Sequence, residues 1–368
     1  MKKLAIVIPA YKVDFFETVL FSLAQQTCKD FTVYIGEDCS RDDFKSLIEQ
    51  YSKQLDIVYR RFEVNFGGHD LVAQWNRCIQ LTQNEPWLWL FSDDDIMGPR
   101  CVECFFNTIA IDNGAFDIYH FDVKIVDCEN QIVRIPTVYP SVIDSETFYR
   151  RKASARLDSF VVEYIFLRDI YNCTGGFQHF DLAWGSDIAT WVKIGADKGI
   201  KTISGDYVYW RKSKKNITPN MDNKMVLRKL TADIEFTHWI NEFFHKSSVY
   251  RFTKYAFFRL VVHYSQAISK SQIRLLLDKA VGKNIISFND AFIINWTYRF
   301  IQSNPIFSEN HFFVADLICR SGCRIGIIQI YFLPEAQKSI KGDIQFISFG
   351  RFAGSDHNHA VTGSGSPN

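Results

Sequence analysis

The first two hundred residues alternate between short apolar runs and stretches with helical spacing. Continuous apolar runs are typical of strands that are buried on both faces of a parallel sheet. Such strands are predicted at residues 4–8, 31–35, 57–59 and 87–91. Between them, apolar residues recur at helical spacing, as in Phe15, Val19 and Leu23. Strands that alternate with helices at this pitch predict a right-handed βαβ sheet and an α/β fold.

The pattern changes after about residue 219, where longer helical stretches follow one another. Leu227, Leu230 and Ile234 have the spacing of one helix face. Residues from about 350 are rich in Gly, Ser, Asn and His, which is typical of a disordered tail. The expected organisation is an α/β domain at residues 1–212, a mostly α region at residues 213–349 and a disordered tail at residues 350–368.

Three adjacent carboxylates, Asp93, Asp94 and Asp95, follow the fourth apolar run and Ser92. They lie where a buried strand leaves the core, which is the usual place for ligands in open α/β sheets. Adjacent carboxylates repel one another, and a divalent cation that is bound by phosphate oxygens removes that repulsion. The stretch therefore predicts a metal–diphosphate site. The alternative is a solvated acidic turn that caps the helix after Pro99.

Polar residues also follow the first two strands, at Tyr11 and Asp38. In a parallel sheet these strand ends share one edge, so both side chains can meet the acidic stretch around a single ligand. Tyr11 can stack on a base ring, and Asp38 can accept hydrogen bonds from a base or a ribose. The alternative for Asp38 is a helix cap together with Ser40. No G-x-G-x-x-G follows the first strand and no P-loop motif occurs, which argues against a dinucleotide oxidoreductase and a P-loop NTPase.

The totals describe a globular protein. Its 368 residues are 47% hydrophobic and 23% charged, and no stretch approaches the ~18 continuous apolar residues of a spanning helix. Residues 1–3 lead directly into a strand-like run, so we expect no signal peptide and a cytoplasmic protein. The nine cysteines are expected as free thiols in a reducing compartment. Zinc held by Cys101, Cys104, Cys319 and Cys323 is the weaker alternative.

Charge is spread unevenly. Residues 1–212 carry 23 basic and 30 acidic side chains, whereas residues 213–368 carry 19 and 11. The basic, aromatic C-terminal part can dock on the acidic N-terminal part, or it can touch anionic headgroups at the inner face of the cell membrane. No nucleic-acid partner is expected, and the sequence does not predict the oligomeric state.

Several motifs in one register resemble the opening of glycosyltransferase family 2, over about residues 3–212. The matching segments are residues 6–11 (I-V-I-P-A-Y), 23–27 (L-A-Q-Q-T), 37–40 (E-D-C-S), 65–67 (N-F-G), Asn76, and 92–95 (S-D-D-D) with Pro99. The resemblance implies the GT-A fold and a nucleotide-diphospho-sugar donor, with UDP as the expected nucleotide. It also implies a divalent metal, Mn²⁺ or Mg²⁺, and inversion at the anomeric carbon.

The same resemblance implies roles for individual residues. The donor-binding set that it implies is Pro9, Ala10, Tyr11, Asp38, Asn65, Asp93 and Arg211. Within it, Asp93 lies near the ribose and Arg211 neutralises diphosphate oxygens, with a surface arginine as the alternative for Arg211. Asp94 is implied as the metal ligand, and Asp95 as its substitute or support.

Four positions bear on how far this resemblance extends. Ser92 stands where many members have the first Asp of D-x-D, Cys39 replaces a Gly, and Trp75 replaces an Arg that commonly precedes the Asn. The change at Trp75 puts the contacts of residues 65–76 in question. Gly67 is interpreted as a tight turn.

The resemblance also implies a general base. The family has an acidic pair before a helix, and the match here is Ser186-Asp187, so Asp187 is the candidate and the first acid is missing. An inverting transfer needs one carboxylate to take the acceptor hydroxyl proton. Favourable charge in the first turn of a helix is the alternative reading of Asp187. Asp181 is the fallback base, and His179 is interpreted as structural.

These expectations together predict metal-dependent transfer of a hexose-type sugar to a hydroxyl of a glycan or lipid-linked glycan, in cell-surface polysaccharide synthesis. A sugar-phosphate nucleotidyltransferase has a similar sheet, but it needs a Gly-rich basic loop that residues 9–13 do not supply. A non-catalytic nucleotide or glycan binding module is the other alternative. The replacements at Ser92 and Ser186 keep it open.

Overall fold

The computed structural model describes residues 2–213, 220–245, 248–303, 314–317 and 328–331. Residues Met1–Ser308 form one compact unit and Glu309–Asn368 a second. The predicted tail at 350–368 and the cysteines at 319 and 323 lie outside the described residues.

One ten-stranded sheet organises the first unit. Its strands are β1 (Leu4–Ala10), β2 (Phe31–Glu37), β3 (Ile57–Arg61), β4 (Trp87–Leu90), β5 (Ile96–Met97), β6 (Ile118–Val126), β7 (Ile132–Arg134), β8 (Val142–Ile143), β9 (Tyr164–Leu167) and β10 (Ile200–Arg211). The order across the sheet is β3-β2-β1-β4-β9-β6-β10-β5, with β7 beside β6 and β8 beside β10. The four predicted strands are therefore neighbours in the sheet.

The first four strands run parallel. β1 pairs with both β2 and β4, and Leu4 faces Phe31 on one side and Trp87 on the other. Every residue of β2 and β4 is buried, as the continuous apolar runs predicted. Because these strands are parallel, the loops after β1, β2 and β4 leave the sheet at the same edge.

Seven helices accompany the sheet. They are α1 (Phe16–Ala24), α2 (Lys45–Tyr51), α3 (Leu71–Ile79), α4 (Cys101–Ile111), α5 (Ser145–Ala153), α6 (Arg168–Cys173) and α7 (Ser186–Ile194). A 3₁₀ turn at Asp181–Ala183 precedes α7. Side-chain caps set two of the helix starts, because Asp70 accepts the N–H of Ala73 and Asp144 accepts that of Thr147.

The predicted helical region is present in the same compact unit as the sheet. Its helices are α8 (Asn223–Phe243), α9 (Tyr250–His263), α10 (Lys270–Gly282) and α11 (Phe288–Ser303). Contacts to the acidic N-terminal part include an ion pair between Arg228 and Asp181, with 2.6 Å between Nη2 and Oδ1. Among the described helices, none combines the length and apolar character needed to cross a bilayer. In the second unit, β11 (Val314–Leu317) and β12 (Ile328–Tyr331) form an antiparallel pair.

The seven cysteines within the described ranges are free thiols. Cys101 and Cys104 lie in the first turns of α4, and burial raises the pKa of the Cys101 thiol well above its usual value. A buried thiol with a raised pKa behaves as a small apolar group rather than as a thiolate ligand.

Candidate functional site

The loops after β1, β2 and β4 meet at one edge of the sheet. We call residues 9–12, 38–40 and 92–95 together the donor edge. Asp93 joins two of its loops, because its Oδ2 accepts the backbone N–H groups of Tyr11 and Lys12 at 2.7 Å each. Burial and the adjacent Asp94 raise the pKa of Asp93 to about 6, while the two N–H groups act against that rise. Asp93 therefore fixes the loop after β1 beside the acidic stretch.

Asp38 holds the loop after β3 against the same edge. Its Oδ1 accepts the N–H of Phe66 at 2.7 Å, and its Oδ2 accepts the N–H of Gly67 at 2.7 Å and the amide of Asn65 at 3.0 Å. The backbone N–H of Asp38 donates to Ala10 O at 2.8 Å, next to Pro9. Tyr11 is half exposed at this edge, where its ring is accessible to a ligand.

An arginine that the sequence did not single out completes this arrangement. Arg77 forms an ion pair with Asp38, and its guanidinium lies 3.9 Å from the ring centroid of Phe62 and 4.0 Å from that of Phe66. The sequence indicated only that Trp75 replaces an arginine. Helical geometry lets Arg77, two residues later, reach the Asp38 carboxylate, while Trp75 packs on Phe177 at 5.1 Å.

The backbone conformation at Cys39 and the space around Gly67 explain the residues found there. Cys39 has a φ of +54°, in the left-handed region that favours the glycine which it replaces. Gly67 lies in a turn, as interpreted from the sequence, which the N–H of His69 closes by donating to Phe66 O at 2.8 Å, and its φ is not positive. A Cβ at Gly67 would lie 2.7 Å from Asp38 Oδ2, and glycine is needed there for that close approach.

Both carboxylate oxygens of Asp95 accept hydrogen bonds from within the protein. The hydroxyl of Ser92 donates to its Oδ2 at 2.6 Å, and the backbone N–H of Arg211 donates to its Oδ1 at 2.6 Å. Burial and the neighbouring Asp94 raise the pKa of Asp95 well above its usual value. Both oxygens already have donors, so Asp95 ties the acidic stretch to β10. A role as a metal substitute would require one of these bonds to break.

Arg211 is fully buried beneath the donor edge. Its Nε donates to Asp94 O, its Nη1 to Asp127 O and its Nη2 to Asn130 Oδ1, each at 2.7 Å. The guanidinium also lies 4.1 Å from the centroid of the Phe15 ring. All three nitrogens hold protein oxygens. The alternative of a surface arginine is wrong, and the predicted contact with diphosphate would require these bonds to be exchanged.

Asp94 differs from its two neighbours. It is only partly buried, and no described residue donates a hydrogen bond to its carboxylate. Within the described ranges, no three His, Cys, Asp or Glu side chains converge on a metal-sized site. One available carboxylate fits a hard cation whose remaining ligands are phosphate oxygens and water. Asp94 is thus the acidic residue best placed to serve as a ligand.

Asp187 lies in the first turn of α7 and is partly buried. Burial raises its pKa above the usual aspartate value, while the N–H of Ile188 and the charge of Lys152 act against the rise. Glu163, which the sequence did not single out, is buried nearby, and the charge of Asp187 contributes to its raised pKa. A raised pKa suits a group that must accept a proton during the reaction.

The segment before α7 contacts the residue at the start of α3. His179 Nε2 lies 2.9 Å from Oδ2 of Asp70, the residue that caps α3. The interpretation of His179 as structural agrees with this pairing. Asp181, the fallback base, is held in an ion pair with Arg228. Asp187 therefore has the freer carboxylate of the two.

The part of the chain that forms the donor edge is similar to known proteins. Residues 5–162 match the family model described as glycosyl transferase family 2. Poly(ribitol-phosphate) beta-N-acetylglucosaminyltransferase TarS of Staphylococcus aureus, from strains Mu50 / ATCC 700699 and MW2, is 30% identical over 131 residues. That match covers 34% of this chain and 21% of the relative, so the chain spans about a fifth of the length of these curated relatives.

A solved structure of S. aureus TarS residues 1–349 with UDP-GlcNAc has the same fold. Its TM-score is 0.52 at 16% identity, over 85% of this chain and 94% of the other. The family match over residues 5–162 agrees with the predicted resemblance, and the structural match confirms the predicted GT-A fold with a mostly α C-terminal region.

Proposed function

We propose that this chain, which carries a glycosyltransferase family 2 domain over residues 5–162, transfers a sugar from a nucleotide-diphosphate donor to a hydroxyl group of a glycan or lipid-linked glycan. The single observation that carries the proposal is the meeting of the loops of Tyr11, Asp38 and Asp94 at one edge of the sheet, where Asp93 accepts the N–H of Tyr11 and the N–H of Asp38 donates to Ala10 O. This edge offers the exposed ring of Tyr11 to stack on a base and the carboxylate of Asp94 for a cation.

We propose a UDP-sugar with a hexose-type sugar as the donor. The relatives named above act as N-acetylglucosaminyltransferases by name, and the neighbouring structure holds UDP-GlcNAc. Pro9, Ala10, Tyr11 and Asp38 would line the nucleoside, with Asn65 close behind Asp38. Asp93 would lie near the ribose while it keeps the loop after β1 in place.

Asp94 would hold Mn²⁺ or Mg²⁺ together with diphosphate oxygens. A bound cation at this carboxylate supplies positive charge against the negative charge that grows on the leaving diphosphate. Asp95 and Arg211 would support this site from within the protein. The backbone N–H of Arg211 donates to Asp95 Oδ1, and its Nε donates to Asp94 O.

Asp187 would act as the general base. The acceptor hydroxyl oxygen attacks the anomeric carbon, the bond from that carbon to the diphosphate oxygen breaks, and the hydroxyl proton passes to Asp187. Attack from the face opposite the leaving group inverts the configuration at the anomeric carbon. The raised pKa of Asp187 makes it a better proton acceptor than an ordinary surface aspartate.

We further propose a growing cell-surface glycan as the acceptor and the cytoplasm as the site of action. Contact of the basic helical region with the inner membrane surface remains a prediction. Phe288 and Phe292 on α11 are 79% and 68% exposed, and exposed aromatic side chains of this kind would suit such a contact.

Nucleotide release tests the proposal directly. The protein should release free UDP from a UDP-sugar when manganese and an acceptor polymer are present, and UDP with manganese should raise its melting temperature. Release of pyrophosphate from a sugar phosphate and a nucleoside triphosphate would indicate a nucleotidyltransferase instead. Binding of UDP without any turnover would indicate the non-catalytic module.

A further inference from the structure

The segment that carries Asp187 has an uncommon backbone. We call residues 180–187 the base loop. Leu182 and Ala183 have φ values of +59° and +53°, and Gly185 has +78°. Left-handed backbone brings the Cβ of an L-residue close to a carbonyl oxygen, so two such residues in succession cost free energy. Conformations of this kind persist only where surrounding contacts hold them.

Helix α8 supplies polar contacts to this loop. Arg228 donates from Nε to Asp181 Oδ2 at 2.9 Å and from Nη2 to Asp181 Oδ1 at 2.6 Å. Five residues along the same helix, Asp233 Oδ1 accepts the indole N–H of Trp184 at 3.2 Å. A two-point guanidinium–carboxylate pair fixes orientation as well as distance. The two ends of the left-handed segment are thus both bonded to α8.

The same helix also packs directly beneath the loop backbone. A Cβ at Gly185 would lie 2.6 Å from Cγ of Phe236, so the ring fills the space beside this glycine. Phe180 makes an edge contact with the same ring, with 5.7 Å between the centroids. The hydroxyl of Ser186 accepts the N–H of Phe180 at 3.1 Å and closes the loop. Asp187 follows one residue later.

We propose that α8 holds the base loop in its strained conformation and thereby aims Asp187, with Arg228 and Asp233 as positioning residues. This inference rests on the proposed function, in which Asp187 takes the acceptor proton. It makes the helical region part of the active centre rather than a separate appendage. Arg228 and Asp233 act through the loop and not on the reacting atoms.

Kinetics of matched variants on α8 test this role. Arg228→Ala and Asp233→Leu should lower kcat by about 10- to 100-fold, the cost of a small misplacement of a catalytic group, with KM for the UDP-sugar nearly unchanged. Asp233→Asn keeps an oxygen that can accept from Trp184, so it should recover most of kcat. Glu235→Gln removes the ion pairs to Lys279 and Lys283 from the same helix without contact to the loop, and should behave as wild type.

Hydrogen–deuterium exchange over residues 180–188 separates this inference from the proposed function. Exchange should be faster in Arg228→Ala, and in Asp181→Ala at an exposed position, than in Glu235→Gln. Unchanged exchange and unchanged kcat in the Arg228 and Asp181 variants would overturn the positioning role. Faster exchange supports it even if the wild-type protein releases no UDP, and that second result bears on the proposed function alone.

Discussion

The donor edge and the base loop are built by different means. At the donor edge, carboxylates accept backbone N–H groups from neighbouring loops, as Asp93 does from Tyr11 and Asp38 does from Gly67. In the base loop, side chains of a distant helix hold a left-handed backbone. The first arrangement follows from parallel strands that end together. The second exists only where α8 packs. Donor binding and turnover should therefore respond to different mutations.

The largest expected effect is on turnover, and it should leave donor binding nearly unchanged. Asp187→Asn should lower kcat by roughly 10²–10⁴-fold, because the amide cannot take the acceptor proton. UDP affinity by calorimetry should stay within about twofold, since the donor edge is untouched. Asp197→Asn, at an exposed position just after α7, serves as the control. An Asp187→Asn protein with full turnover would reject the base assignment.

The pH dependence sharpens the same assignment. The base acts only when ionised, so turnover should rise with pH through its pKa. Because burial raises the pKa of Asp187, the acid limb of the pH–rate profile should lie above the ordinary aspartate pKa of about 3.9. This limb should be absent from the profile of the Asp187→Asn protein.

The next effect is on stability beneath the donor edge. Arg211→Leu should lower the free energy of unfolding by about 3–5 kcal/mol, because it leaves the buried Asp95 without its cationic neighbour and several oxygens without donors. Urea unfolding measures this loss. Arg100→Ala removes an exposed pair with Glu103 and should cost less than about 1 kcal/mol. Equal losses in the two variants would contradict the structural role of Arg211.

A smaller effect is expected at Asp94, the proposed cation ligand. There the substitution should weaken UDP binding, which the Asp187 substitution leaves nearly unchanged. Asp94→Ala should weaken manganese-dependent UDP binding by about 10- to 100-fold or more. Loss of a residue that only supports a metal ligand already has an effect of that size. UDP binding without metal should change little. The exposed Asp169→Ala on α6 is the control. If calorimetry with manganese gives the same affinity for the Asp94→Ala and Asp169→Ala proteins, the metal assignment is lost.

The smallest effect tests how closely the loop after β3 approaches Asp38. Gly67→Ala places a Cβ 2.7 Å from Asp38 Oδ2 and should cost about 1–3 kcal/mol of stability, with weaker UDP binding as the loop shifts. Gly282→Ala, where nothing lies within 4 Å, should be neutral. A neutral Gly67→Ala would show that this loop adjusts without loss.

Much of the donor edge could be predicted from the sequence. Continuous apolar runs identified β1, β2, β3 and β4, and their parallel pairing brings the residues after them to one edge. The resemblance to family 2 then supplied the family, the fold and the candidate roles of Tyr11, Asp38 and Asp94. These features depend on local periodicity and on short ordered motifs, which a chain carries in its residue order.

The tertiary structure alone decided which protein groups bind the neighbouring carboxylates and which contacts hold the base loop. The resemblance implied separate roles for Asp93, Asp94 and Asp95 but not their partners: one binds loop N–H groups, one binds Ser92 and Arg211, and one remains available. Arg77, Arg228 and Asp233 carried no motif, because their partners lie far away along the chain. Contacts between distant segments depend on how elements pack, and residue order does not record that packing.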